Sequence, residues 1–299
     1  MMAQTGAMRV GFVGLGTMGR PMAGHILRAG FPLTVNNRTH HKTEALAQAG
    51  ASVAVSPAEV ARNSEVIIIM VSDTPDVEEV VMGPQGIMVG LAAGLAAGAV
   101  VVDMSTIDPH ATRRLAARLR EAGGDWVDAP VSGGDVGAKN ATLAIMAGGR
   151  DTTIARVRPV LQTMGTVTHC GAVGCGQVTK LCNQILVSTN LAGVCEALGF
   201  ARKNGLDPSV MIDAVSGGAA ASWQLANLAP RVVAGDYRAG FAVDLMAKDL
   251  GLVARDAARQ SIPLPVTTLV QQFFAAARAE GLGKEGTQAL AKVLQRLMG

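Results

Sequence analysis

A chain of 299 residues, 49% hydrophobic and 16% charged, is long enough for one large domain or two ordinary ones and apolar enough for a sizeable core. Its net charge of +3 is too small and too scattered to argue for a nucleic-acid partner, and none is expected. Four cysteines, at 170, 175, 182 and 195, form no C-x-x-C pair, and zinc or a disulfide framework would need better spacing or a secretory context, so a reduced cytoplasmic protein without a metal site is expected.

The opening segment Met1–Ala7 has no charged n-region and no long apolar stretch, and reads as a leader rather than a secretory signal. Met8–Val13 then reads as a buried strand, and Pro21–Ala29 as a helix closed by Gly30. Between them stands Gly14-Leu15-Gly16-Thr17-Met18-Gly19. Strand, glycine turn and helix together make G-x-G-x-x-G a dinucleotide-binding signature. The first glycine allows the tight turn, the second lets the backbone approach a pyrophosphate, and the third lets helix pack on strand. The helix amides and dipole then face the phosphates.

Leu33–Val35 is the expected second strand. An NAD site usually ends this strand with an acid for the ribose 2′-hydroxyl. Here Asn36-Asn37-Arg38-Thr39-His40-His41-Lys42 follows, with no acid before Glu44. The amide of Asn37, the guanidinium of Arg38 and the hydroxyl of Thr39 suit a 2′-phosphate, so the cofactor is expected to be NADP, with NAD the alternative.

Val66–Val71 is a continuous, mainly β-branched run, the mark of a strand covered on both faces. The longest apolar run, Ile87–Val102, has four glycines in or beside it and ends at Asp103; it is too short for a membrane span and reads as loop, turn and buried strand. Ala99–Met104, Trp126–Asp128 and Leu143–Ala147 add further strands. Strands alternating with helices predict an α/β class: a Rossmann-type, doubly wound, mainly parallel sheet. At the carboxyl end of the Trp126 strand lies Asp128-Ala129-Pro130-Val131-Ser132-Gly133-Gly134. Ligands of open α/β sheets bind at that edge, and a serine beside two glycines offers hydroxyl and backbone donors to a carboxylate; read alone, the segment is a turn.

Beyond about residue 173 the pattern becomes helical throughout. Gln177–Asn204 contains no proline and stops at Gly205, which makes a helix of roughly 40 Å. Further helices are expected at 208–216, 222–234, 241–259, 265–280 and 285–298. The domains are therefore 8–172, which binds the nucleotide, and 173–299, all-α, with the long helix joining them. Lys180 and Asn183 lie three apart near the start of that helix and project from one face. A helix N-terminus disfavours a protonated amine, so Lys180 suits general acid/base chemistry better than a salt bridge; a snorkelling surface lysine is the bland alternative.

Gly14–Ala23, Asp128–Gly134, Gly174–Asn183 and Lys248–Gly251 follow one another in an order that resembles the β-hydroxyacid dehydrogenase family over residues 8–298. That family includes 3-hydroxyisobutyrate dehydrogenase, tartronate semialdehyde (2-hydroxy-3-oxopropionate) reductase and the glyoxylate/succinic semialdehyde reductases. The resemblance implies a dimer or tetramer that transfers hydride between NADP(H) and a small hydroxyacid or semialdehyde. It implies Lys180 as catalytic acid/base and Asn183 as its substrate-orienting partner. Ser132, Gly133 and Gly134 would bind the substrate carboxylate, and Phe241 and Asp249 would shape the site. Thr106 would lie near the nicotinamide with Lys248 over the cofactor, and Val71 is expected beside it too. The 222–237 region looks most like tartronate semialdehyde reductase relatives. Imine reductases share the fold but usually lack the lysine. 6-Phosphogluconate dehydrogenase needs a longer helical domain, and a non-catalytic NADP sensor would have lost Lys180 or Asn183.

Overall fold

The computed structural model describes residues 8–92 and 98–299, so the leader Met1–Ala7 and residues 93–97 of the long apolar run lie outside it. The described chain divides into two compact units, one running through Lys180 and the other covering Leu181–Gly299.

The first unit is built on a sheet of strands β1 (Val10–Val13), β2 (Leu33–Asn36), β3 (Ser52–Val53), β4 (Val66–Ile69), β5 (Val100–Asp103), β6 (Asp125–Asp128), β7 (Val131–Ser132), β8 (Leu143–Gly148) and β9 (Gly165–Gly171). Their order is β3-β2-β1-β4-β5-β6-β8-β7, with β9 beside β8. β1 pairs in parallel with both β2 and β4, so the order reverses at β1 and the glycine loop leaves the sheet at that switch point. Every residue of β1, β4 and β5 is buried, as strands covered on both faces require. Helices α1 (Gly19–Arg28), α2 (Glu44–Gln48), α3 (Pro57–Arg62), α4 (Thr74–Met82), α5 (Ile87–Ala92), α6 (Pro109–Glu121), α7 (Gly134–Asn140) and α8 (Asp151–Leu161) supply the cover.

Three features depart from the sequence reading. Ile87–Ala92 is helical, not loop: Gly90 lies so close to α3 that a Cβ there would collide with the Ala58 carbonyl. Its glycine permits helix contact instead of breaking the helix. The Asp128–Gly134 segment is not a plain turn, since Val131 and Ser132 pair antiparallel with Ile145 and Ala144 of β8. The two-residue strands β3 and β7 and the seven-residue β9 carry no continuous apolar run; β9 reads Gly-Thr-Val-Thr-His-Cys-Gly and is half-buried or exposed at every position.

The second unit is helical. α9 (Cys175–Lys203) begins in the first unit and continues into the second, followed by α10 (Pro208–Ser216), α11 (Trp223–Asn227), α12 (Ala229–Val233), α13 (Val243–Arg259), α14 (Pro265–Ala279) and α15 (Leu290–Leu297). The expected 222–234 helix is two helices because Pro230, in the first turn of α12, has no N–H to continue the preceding ladder. The last helix is entered through a single 3₁₀ turn, Thr287–Ala289. Its core gathers Leu198, Met246, Leu250, Phe274 and Leu290, all fully buried.

Candidate active site

The glycine loop separates into two kinds of glycine. Gly14 has φ +100, and a Cβ there would collide with the Met70 carbonyl. A Cβ on Gly19 would collide with the carbonyl of Gly14. These two glycines are demanded by the fold itself. Gly16 is exposed and nothing lies within 4 Å of where its Cβ would stand, so its backbone is open to a ligand. α1 begins without a side-chain cap and with no acid in its first turn. Open backbone at Gly16 and an acid-free helix start fit a pyrophosphate, although Arg20 N–H is already given to the Gly16 carbonyl and Pro21 has none to give.

The neighbouring residues divide in the same way. Leu15 is buried and its N–H donates to Asn37 Oδ1 at 2.8 Å, while Asn37 Nδ2 donates to the Thr39 carbonyl at 2.9 Å. Asn37 therefore ties the loop to the end of β2, and its side chain is already engaged. Met18 is half-buried against the core, whereas Thr17 is exposed. Arg38 is 94% exposed, its nearest carboxylate being Asp76 at 3.8 Å, so its guanidinium stands in solvent beside the loop. Thr39 is exposed as well.

A second group is assembled at the carboxyl ends of β5 and β6. Val71 N–H donates to Ser105 Oγ at 3.0 Å, and Ser105 N–H donates to Asp103 Oδ1 at 3.0 Å. Gln177, fully buried in α9, accepts from Ile107 N–H at 3.1 Å and donates to the Ser105 carbonyl at 2.8 Å. Gln177 thus brackets the half-buried Thr106 from both sides. Asp128 closes β6 with no exposure, accepting Gly174 N–H at 2.7 Å and Gln177 N–H at 2.9 Å. Burial pushes the Asp128 carboxyl up to about 6, against the pull of these backbone donors. Lys180, 6% exposed, follows Gln177 by less than one helical turn. Ser132 is half-buried on β7, and Gly133 and Gly134 follow with φ +136 and +61, a backbone that only glycine takes easily.

The second unit carries its own string of polar groups. Asn183 Nδ2 donates to Gln184 Oε1 at 2.8 Å, and Gln184 Nε2 donates to Asp249 Oδ2 at 2.5 Å. Lys248 Nζ lies 2.8 Å from Asp249 Oδ1. Gln184 and Asp249 are buried, so the string is fixed by its own partners. Asn183, Lys248 and Asp249 are thereby brought together. Phe241 is outside the string, half-buried against the helical core. Sequence reasoning missed Gln184, Gln177, Ser105 and Asp103; buried amides at otherwise apolar helix positions were the signal for the first two. Among the described residues no cluster of His, Cys, Asp or Glu is placed to hold a metal.

Residues 9–174 match the family described as the NAD-binding domain of 6-phosphogluconate dehydrogenase. Residues 174–294 match the NAD-binding family of NADP-dependent 3-hydroxyisobutyrate dehydrogenase. A probable 3-hydroxyisobutyrate dehydrogenase-like protein of Arabidopsis thaliana is 40% identical, across 97% of this chain and 86% of that protein. The 2-hydroxy-3-oxopropionate reductase of Escherichia coli is 39% identical, across 96% of this chain and 97% of that protein. The structure of Mycobacterium tuberculosis 3-hydroxyisobutyrate dehydrogenase with L-serine superposes with a TM-score of 0.88 at 30% identity, covering 97% of this chain and 99% of the other.

Proposed function

The chain belongs to the β-hydroxyacid dehydrogenase family of NAD(P)-dependent oxidoreductases, and we propose that it interconverts a short semialdehyde and its β-hydroxyacid with NADP(H), 2-hydroxy-3-oxopropionate being the favoured substrate. The observation that carries this reading is the start of α9. A buried lysine, Lys180, stands there three residues before Asn183, in a turn held by Asp128 and Gln177.

The loop backbone around Gly16 and the N-terminal end of α1 would hold the pyrophosphate, with Arg38 and Thr39 at the 2′-phosphate and Val71 and Thr106 along the nucleotide. NADPH, when bound, supplies the hydride. Lys180, as ammonium, gives a proton to the carbonyl oxygen as it becomes an alkoxide; in the reverse direction the neutral amine takes the hydroxyl proton. Asn183 orients that oxygen, and Gln184 and Asp249 fix the asparagine amide. Ser132 Oγ and the amides of Gly133 and Gly134 grip the substrate carboxylate. General acid/base help of this kind is worth about 10²–10⁴-fold, and positioning supplies the rest.

The choice of 2-hydroxy-3-oxopropionate is supported by the near full-length similarity to the Escherichia coli reductase and by the 222–237 segment. The test is a panel of short aldehydes, 2-hydroxy-3-oxopropionate, succinic semialdehyde and glyoxylate among them, run with NADPH and NADH and followed by nicotinamide absorbance; equal or better turnover of another member would overturn the choice. Lys180→Ala should lose at least about 100-fold in kcat with NADPH binding kept. A variant retaining more than about a tenth of the wild-type kcat would remove Lys180 from the acid/base role.

A homo-oligomer is part of the same proposal. α9 carries Leu186 and Phe200, 62% and 72% exposed, on one stripe with the exposed Asn190, Gly193 and Ala197. The alternating spacing of four and three residues is that of a helix face covered by another helix. Phe200→Asp should lower the solution mass seen by light scattering; an unchanged mass would place self-association elsewhere.

A further inference from the structure

We propose that Asp128, with Gln177 as its strut, is a positioning residue for Lys180: its buried carboxylate pins the first turn of α9 to the carboxyl edge of the sheet and so fixes where the lysine amine stands. The inference rests on the acid/base reading of Lys180 and deepens it.

The first amides of any helix have no partner four residues back, and α9 has no acid in its own first turn. Asp128, 46 and 49 residues upstream, supplies the acceptors for Gly174 and Gln177. The backbone is packed directly on that carboxylate. A Cβ at Gly176 would collide with the Met146 carbonyl and lie 2.8 Å from Asp128 Oδ2. One at Gly148 would lie 2.8 Å from Asp128 Oδ1 and 2.7 Å from Gly176 N. The turn therefore has almost no room to rotate about the carboxylate. Gln177 adds the second restraint through Ser105 and Ile107, which fixes the same turn to the loop bearing Thr106. Lys180 lies three residues beyond Gln177, so a tilt of this turn is transmitted to its side chain with little loss.

A neutral acceptor would satisfy a helix start without a buried charge. The carboxyl is raised to about 6, so at neutral pH the fold holds an ionised carboxylate at a cost in stability. Such a cost is understandable where two short, charge-assisted bonds must hold a geometry.

Asp128→Asn keeps the shape but turns an NH₂ toward one of the two backbone donors. It should lower kcat by about 10- to 100-fold, as displacement of a reacting group by an ångström does. NADPH affinity by fluorescence titration and KM for NADPH should stay within about threefold, since that loop is anchored independently. Should Asp128→Asn fail to fold, Asp128→Ser removes the carboxylate without turning an NH₂ on the backbone donors and should show the same split between kcat and KM for NADPH. A folded variant with kcat within about twofold of wild type, or one losing NADPH affinity in proportion to kcat, overturns the inference. Lys180→Ala is measured alongside. An inactive Lys180→Ala beside an active Asp128→Asn sinks this inference alone, while an active Lys180→Ala sinks the acid/base reading and this inference with it.

Discussion

Replacing Gly16 by alanine separates binding from folding. The Gly16 backbone is not in the left-handed region, and nothing stands within 4 Å of the added methyl. Stability should therefore change by no more than about 0.5 kcal/mol, the range of an unstrained surface substitution. The methyl would instead occupy the approach of the pyrophosphate to the loop. Losing one charge-assisted hydrogen bond there costs about 1.5–3 kcal/mol, roughly a ten- to hundredfold weaker Kd for NADPH. Fluorescence titration with NADPH and thermal unfolding of the same preparation measure both quantities. Gly19→Ala is the contrast: its Cβ would collide with the Gly14 carbonyl and stand 3.0 Å from the Phe12 ring, so it should lose stability as well as binding. A Gly16→Ala protein that binds NADPH normally, or that unfolds as early as Gly19→Ala, would refute the assignment of the open face of this loop.

Arg38→Asp should move preference from NADPH toward NADH, by about ten- to a hundredfold in the ratio of kcat/KM, without loss of Tm, because the side chain is 94% exposed. An unmoved ratio would mean that the 2′-phosphate is held elsewhere. Ser132→Ala should cost about 1.5–3 kcal/mol in kcat/KM for aldehydes bearing a carboxylate and much less for neutral ones. Equal losses would make Ser132 a shaping residue of β7. For Asp128 the sign follows from a folded-state value raised above the ordinary one: the group's contribution is most favourable at low pH and is lost as pH rises from about 4 to about 6. Relative to Asp128→Asn, the wild type should lose about 3 kcal/mol of unfolding free energy over that window and nothing above it. A difference independent of pH in urea titrations would contradict the burial of the charge.

The nucleotide loop was legible in the sequence because its signals are local. A buried apolar strand, glycines at fixed offsets and a helix start lie within about 20 consecutive residues and need no partner to be recognised. The same holds for the long helix, whose extent is set by the absence of proline and by Gly205. Lys180 and Asn183 could be placed on one face because helical spacing alone fixes it.

Tertiary structure decided what has no periodicity. Gly90 reads as a break and proves to be a contact, since only packing shows that α3 lies against it. β9 joins the sheet because β8 offers it an edge, and its polar alternation carries no core signal. Asp128 meets Gln177 across 49 residues, and Gln184 meets Asp249 across 65. Such pairs are chosen by where the chain returns, not by the residues near them in sequence. Sequence therefore determined which side chains carry charge and protons, while the fold determined which buried amides and carboxylates hold them in place.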